Sequence, residues 1–68
     1  MKINIYLENQ IKASTNKAQA VKELAKRFKC GESTIISYRN GTRYPARSRW
    51  KTIVKATDGQ VTLVDLAS

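Results

Sequence analysis

The chain contains no histidine, one cysteine, one proline and only five acidic side chains. With histidine missing and the acids scattered, no nucleophile can be paired with a base and no set of metal ligands can be assembled. An enzyme, a metal centre or a cofactor site is therefore not expected. The lone Cys30 has no partner for an internal disulfide, which suits a reducing cytoplasm and leaves the fold to stand on packing alone. Long hydrophobic runs are missing too. The apolar start INIYL meets Glu8, Asn9 and Gln10 at once, too soon for a signal-peptide core or a membrane span. A soluble, unprocessed, cytoplasmic protein with no membrane partner is the expectation. No repeat, low-complexity run or Pro/Gly/Ser linker divides the 68 residues, so one domain over 1–68 is expected. A domain of that size buries only about 60% of the surface its unfolded chain exposes, and its core must be small.

Positive charge is what the chain has in excess. Thirteen Lys and Arg against five Asp and Glu give a net charge of +8, beyond what solubility asks of a small domain. A polyanion is the natural partner. An RNA-binding module is one reading, but single-strand readers interleave exposed aromatics on a sheet, and the three tyrosines here are dispersed.

The apolar residues recur at helical spacing. Ile3, Leu7 and Ile11 mark a first amphipathic helix, broken by Ala13-Ser14-Thr15. Asn16 opens a second, with Gln19 at the spacing that lets the two side chains cap each other's backbone donors. Its stripe is Val21, Leu24, Ala25 and Phe28, with Glu23 and Arg27 as an i,i+4 pair on the outer side. Gly31 is an acceptable N-cap for a third, short helix that turns Ile35 and Tyr38 inward and ends at Asn40-Gly41. Pro45 suits the first turn of a fourth helix, with Ala46, Trp50, Ile53 and Thr57 on its inner side and Asp58-Gly59 as its stop. The tail QVTLVDLAS is open. Asp58-Gly59 between β-branched runs signals a hairpin, whereas Thr62 followed by Asp65 resembles a capping box. The fold expected is mainly α, a compact four- to five-helix domain whose tail is a short extended piece or a helical turn.

An amphipathic helix, a turn of about three residues and a second short helix make a helix-turn-helix over residues 16–40. Ala25 is the small residue at the crossing, Leu24, Phe28, Ile35 and Tyr38 are its supporting core, and Cys30 tucks beneath the turn. The stretch ELAKRFKCGESTIISYRNG resembles the helix-turn-helix of the phage repressor and Cro superfamily. The extension RYPARSRWKTIVKATDGQVTLVDL is similar to the tail of short prophage regulators of the Cro and YdaS-like kind. In those a small-residue turn, a Pro-led helix and an "AT-G-G-x-V-T-x-x-D-L" ending recur. The resemblance covers roughly residues 16–66, and the tail is its more distinctive part. It departs from the family in two places: Lys29 stands where a positive-φ glycine is usual, and Gly31 replaces the usual Ser or Thr cap.

If the third helix enters the major groove, Glu32, Ser33, Ile36 and Ser37 lie opposite its Ile35/Tyr38 face and reach base edges. The resemblance implies base contact for Glu32, Ser33 and Ser37. Glu32 can accept from a cytosine amino group or only complement the helix dipole. Ser33 can pair with a base or only start the helix, and Ile36 is either a thymine-methyl contact or surplus core. Phosphate ligands are expected at Arg39, Asn40, Thr42, Arg43, Arg47, Lys51 and Lys55. From Arg43 to Lys55 these cations recur every four residues, and no acid interrupts Arg39 to Lys55. Such like-charge neighbours cost an isolated helix about 0.2–0.5 kcal/mol per pair, a cost that phosphate offsets and plain solvation does not. Asn40 and the amides of the NGTR loop are the phosphate ligands that the resemblance implies. Lys17, Lys22 and Lys26 either touch flanking phosphates or are solvated. Trp50 is core or a dimer contact, and Tyr44 packs the loop or offers its hydroxyl to phosphate.

The function expected is a sequence-specific double-stranded DNA-binding regulator, a Cro-like repressor that occupies an operator as a homodimer. The alternative is an antitoxin-type protein-interaction module that autoregulates its operon and meets its partner through the apolar tail, which with Trp50 is also the candidate for the dimer seam.

Overall fold

The computed structural model describes residues 1–67, and among them it is helical with no strand. The elements are α1 (Ile3–Ala13), α2 (Lys17–Phe28), α3 (Glu32–Asn40), a 3-10 turn (Arg47–Arg49) leading into α4 (Trp50–Ala56), and α5 (Leu63–Ala67). Ser68, with which the expected domain and tail end, lies outside the described residues.

α1 buries Ile3, Leu7 and Ile11, as their four-residue spacing predicts, and also Tyr6, which that spacing passes over. The Tyr6 hydroxyl accepts a hydrogen bond from Arg27 at 3.3 Å. The same guanidinium donates to the carbonyl of Ala56, so one side chain ties α1, α2 and α4 together. Arg27 is thereby drawn away from Glu23, and the expected surface pair is not formed.

α2 buries Val21, Leu24, Ala25 and Phe28, joined by Ala20. Its cap is half of the expected pair. The Asn16 side chain accepts from the Gln19 N–H at 3.1 Å, but the Asn16 N–H donates to the Ser14 hydroxyl at 3.2 Å rather than to Gln19. The helix ends with Lys29 in the left-handed region, φ 56° and ψ 47°. A residue with a Cβ pays about 1 kcal/mol there, and the turn takes a positive φ despite the lysine. The Cys30 N–H returns to the Ala25 carbonyl at 3.0 Å, satisfying an orphan carbonyl.

Gly31 then caps α3, and Ile35 and Tyr38 turn into the core. At the other end Gly41 takes φ 79°, and the Thr42 N–H donates to the Ser37 carbonyl at 3.0 Å.

The fourth helix starts later than the proline suggests. Pro45 is buried but lies outside it, and Ala46 is exposed and extended, φ −64° and ψ 151°. The Pro45 carbonyl accepts from the Trp50 indole N–H at 3.2 Å, and the Arg49 N–H donates to the Ala46 carbonyl at 2.8 Å, so the helical bonding begins after the proline. Trp50 is half-buried, whereas Ile53 and Thr57 are fully inside, so the inner side begins at Trp50 and excludes Ala46.

Asp58 and Gly59 both have positive φ, as a hairpin would require. They end α4 instead, the Gly59 N–H donating to the Val54 carbonyl at 2.9 Å. The tail follows its capping box: the Thr62 N–H donates to Asp65 Oδ2 at 3.0 Å, and the Asp65 N–H donates to Thr62 Oγ1 at 3.1 Å. Thr57 joins α4 to this tail. Its hydroxyl donates to the Ile53 carbonyl at 2.9 Å and accepts from the Val61 N–H at 3.1 Å. Leu7, Ile35, Ile53, Val61 and Leu66 close the core from α1, α3, α4, the linker and α5.

Candidate nucleic-acid interface

Successive helical residues are about 100° apart, so the face of α3 opposite Ile35 and Tyr38 carries Ser33, Ile36, Ser37 and Asn40. Ser33 and Asn40 are exposed, while Ile36 and Ser37 are half-buried. Ile36 packs against the edge of the core with one flank and leaves the other open. Glu32 is exposed and lies to the side of this row. Nine residues make α3 about 13 Å long, and the diameter of a helix with its side chains, about 10–12 Å, is what a major groove about 12 Å wide admits.

Cations gather at both ends of α3. At its start Lys22, Lys26 and Lys29 line one cleft with Gly31 and Glu32. Lys29 was not among the expected phosphate ligands. Its signal in the sequence was a charged side chain at the turn position, beside the reading helix. Lys17, at the start of α2, is exposed. Glu23 lines the same cleft as Glu32, which therefore shares it with one further acid and three lysines.

At the far end, α3 runs into Arg39, Asn40 and the loop. Arg39 is held rather than free: its guanidinium donates to Asn40 Oδ1 at 3.1 and 3.2 Å and lies 4.0 Å from Glu8 on α1. The loop amides do not stand ready for phosphate. The N–H groups of Thr42 and Arg43 donate to the Ser37 carbonyl at 3.0 and 3.4 Å, and the Thr42 hydroxyl donates to the same oxygen at 3.3 Å. The reason is local. Once Gly41 ends α3, the carbonyls of its last turn lack helical partners, and the nearest donors are these. What the loop offers outward is the exposed Arg43 side chain and the amide nitrogen of Asn40.

Arg47, Lys51 and Lys55 are exposed along the 3-10 turn and α4. They border two different clefts. Arg47 and Lys51 flank a groove floored by Trp50, Leu63, Val64 and Ala67, whereas Lys55 shares a cleft with Arg27, Lys29 and Asp58.

Tyr44 is exposed, with its hydroxyl engaged inside the protein. Its hydroxyl donates to the Leu66 carbonyl at 2.6 Å and fastens the loop to α5. Burial pushes the Cys30 thiol up, with the nearby Arg49 guanidinium partly opposing it. The thiol therefore stays protonated at neutral pH and is poorly suited to act as a nucleophile. Arg49 itself donates to the Lys29 carbonyl at 3.1 Å and braces the turn. Among the described residues no group of His, Cys, Asp and Glu could hold a metal ion, and no helix is long and apolar enough to cross a membrane.

Compared with known proteins, the chain matches no family model, no curated sequence and no solved structure.

Proposed function

We propose that the protein is a sequence-specific double-stranded DNA-binding transcriptional regulator, a Cro-like repressor of phage or prophage type that acts by occupying its operator. The observation that carries this reading is the setting of α3. A short helix with an open Ser33/Ile36/Ser37/Asn40 row follows a three-residue turn and is flanked by Lys22, Lys26 and Lys29 at one end and Arg43 at the other. Serine and asparagine pair with several base edges, and an isoleucine flank packs on a thymine methyl. Lys17, Lys22, Lys26, Lys29, Arg43, Arg47 and Lys51 supply sequence-independent attraction through phosphate neutralisation and counterion release. Glu32 accepts from a cytosine amino group, with the surrounding lysines lowering the cost of bringing an acid to DNA.

One such helix reads three or four base pairs, so two copies on an inverted repeat are required for useful specificity. Selection of bound sequences from random duplex DNA tests this. An inverted repeat with half-sites about 10 bp apart is expected. Retention of duplexes with no enriched sequence would contradict the reading and leave only non-specific attraction.

A further inference from the structure

The groove beside α5 is of a different character from the rest of this basic surface. It holds about 460 Å³ and is lined by Trp50, Leu63, Val64 and Ala67, with Arg47 and Lys51 at its rim. Leu63 is 49% exposed and Val64 76%, large values for aliphatic side chains in a domain with so small a core. Neither is needed to hold α5 in place. That is done by buried Leu66, by the Thr62/Asp65 capping box and by the Tyr44 hydroxyl on the Leu66 carbonyl. The floor is equally well fixed. The Trp50 indole is tied to the Pro45 carbonyl, and the Arg47 guanidinium lies over its ring, 5.4 Å from the centroid. Exposed apolar surface rimmed by charge, on elements braced from behind, is how interaction sites are built.

We infer that this groove binds an acidic amphipathic segment of a partner protein, its apolar side chains on Trp50, Leu63 and Val64 and its carboxylates on Arg47 and Lys51. Charge decides among the occupants. A second copy seated here about a two-fold axis would bring Arg47 and Lys51 against their own counterparts, with no acid among the described lining residues to offset them. Phosphate could meet the rim but leaves the apolar floor wet. A helix with apolar residues at i, i+3 and i+4 and flanking Asp or Glu matches both floor and rim.

This has a regulatory consequence that rests on the DNA-binding reading. Arg47 and Lys51 would serve the phosphates and the partner alike, so the two ligands compete, and the partner lifts the protein from its operator.

The test begins without DNA. Random peptides displayed on phage are selected on the wild-type protein, with Val64→Ser as the counter-selection target. Val64 is exposed, so the substitution leaves the fold intact. Enriched peptides are expected to combine helically spaced apolar residues with Asp or Glu. Such a peptide, synthesised, should shift the amide resonances of Trp50, Leu63, Val64 and Ala67 and bind Leu63→Ala about tenfold more weakly, the change for losing one aliphatic contact. Selected peptides without acids, shifts elsewhere, or equal binding to Leu63→Ala and wild type would overturn the proposal. So would a concentration-dependent dimer, or binding to phosphatidylserine vesicles, that Val64→Ser abolishes. The same peptide is then titrated into the protein bound to duplex DNA, and displacement is expected. A peptide that docks on the groove but leaves DNA bound would overturn the competition and spare the docking. Failure to bind any DNA would instead fall on the function proposed above.

Discussion

Lys29 holds a left-handed backbone, φ 56°, that costs a residue with a Cβ about 1 kcal/mol. Lys29→Gly is therefore expected to raise stability by about 1 kcal/mol in urea unfolding. An unchanged or lowered midpoint would mean that the lysine side chain contributes more than its backbone costs. Thr57 makes the opposite case. It is fully buried, and its hydroxyl is the acceptor for the Val61 N–H. Thr57→Val keeps the volume but leaves that buried N–H unpaired, a loss of about 1–3 kcal/mol, whereas Thr57→Ser should cost less. Thermal or urea unfolding of the two variants side by side distinguishes the lost acceptor from lost packing. Neither residue's role could be read from its neighbours in sequence. The positive φ of Lys29 was foreseeable only through the family resemblance, and the Thr57 bond depends on how the chain returns after Gly59.

Among the α-helices, α5 is the shortest and is held by several polar ties. Asp65 accepts from the Met1 amine at 2.6 Å and from the Thr62 N–H, and these bonds, the amine first, hold its carboxyl down to about 2 from an ordinary value of 3.8. A carboxylate depressed in the fold stabilises it above its unfolded pKa and loses that contribution as pH falls through the folded one. The tail is thus expected to loosen between pH 4 and 2. Amide exchange of Leu66 and Ala67 across that window measures it. Asp65→Asn should be looser at neutral pH and show a flatter profile, and an identical profile would assign the acid transition to another carboxylate. α1, α2 and α3 were legible because each carries its own periodic stripe and a local stop. The start of α4 was not, because the chain stays extended through Ala46 while the Trp50 indole reaches back five residues to the Pro45 carbonyl, and neither feature has a local signal. The tail carried two valid local signals, and the reciprocal Thr62/Asp65 bonds prevailed once Asp58 and Gly59 had been used to close α4.

At the scale of the whole molecule, the net charge of +8 is spread unevenly enough to suggest a division of labour. The ends of α3 are cationic, its open face is nearly neutral, and the α5 groove is apolar with a cationic rim. Spacing alone put Ser33, Ile36 and Ser37 on the open face of α3, but it also put Glu32 there, which lies to the side, and it passed over Asn40. The internal use of the loop amides and the cleft that Glu32 shares with Glu23 and three lysines were not legible, since both arise from how α2 and the loop fold back on α3. The central claim is that the α3 face selects sequence while the surrounding cations only attract DNA. It is tested most directly by measuring Arg43→Ala, Arg47→Ala, Ser33→Ala and Ser37→Ala on a selected and a scrambled duplex over a range of salt. The arginine variants are expected to weaken both duplexes alike and to shallow the salt slope by about 1 each. The serine variants should lose affinity for the selected duplex alone, at an unchanged slope. Equal losses on both duplexes for all four would contradict α3 as the reading helix.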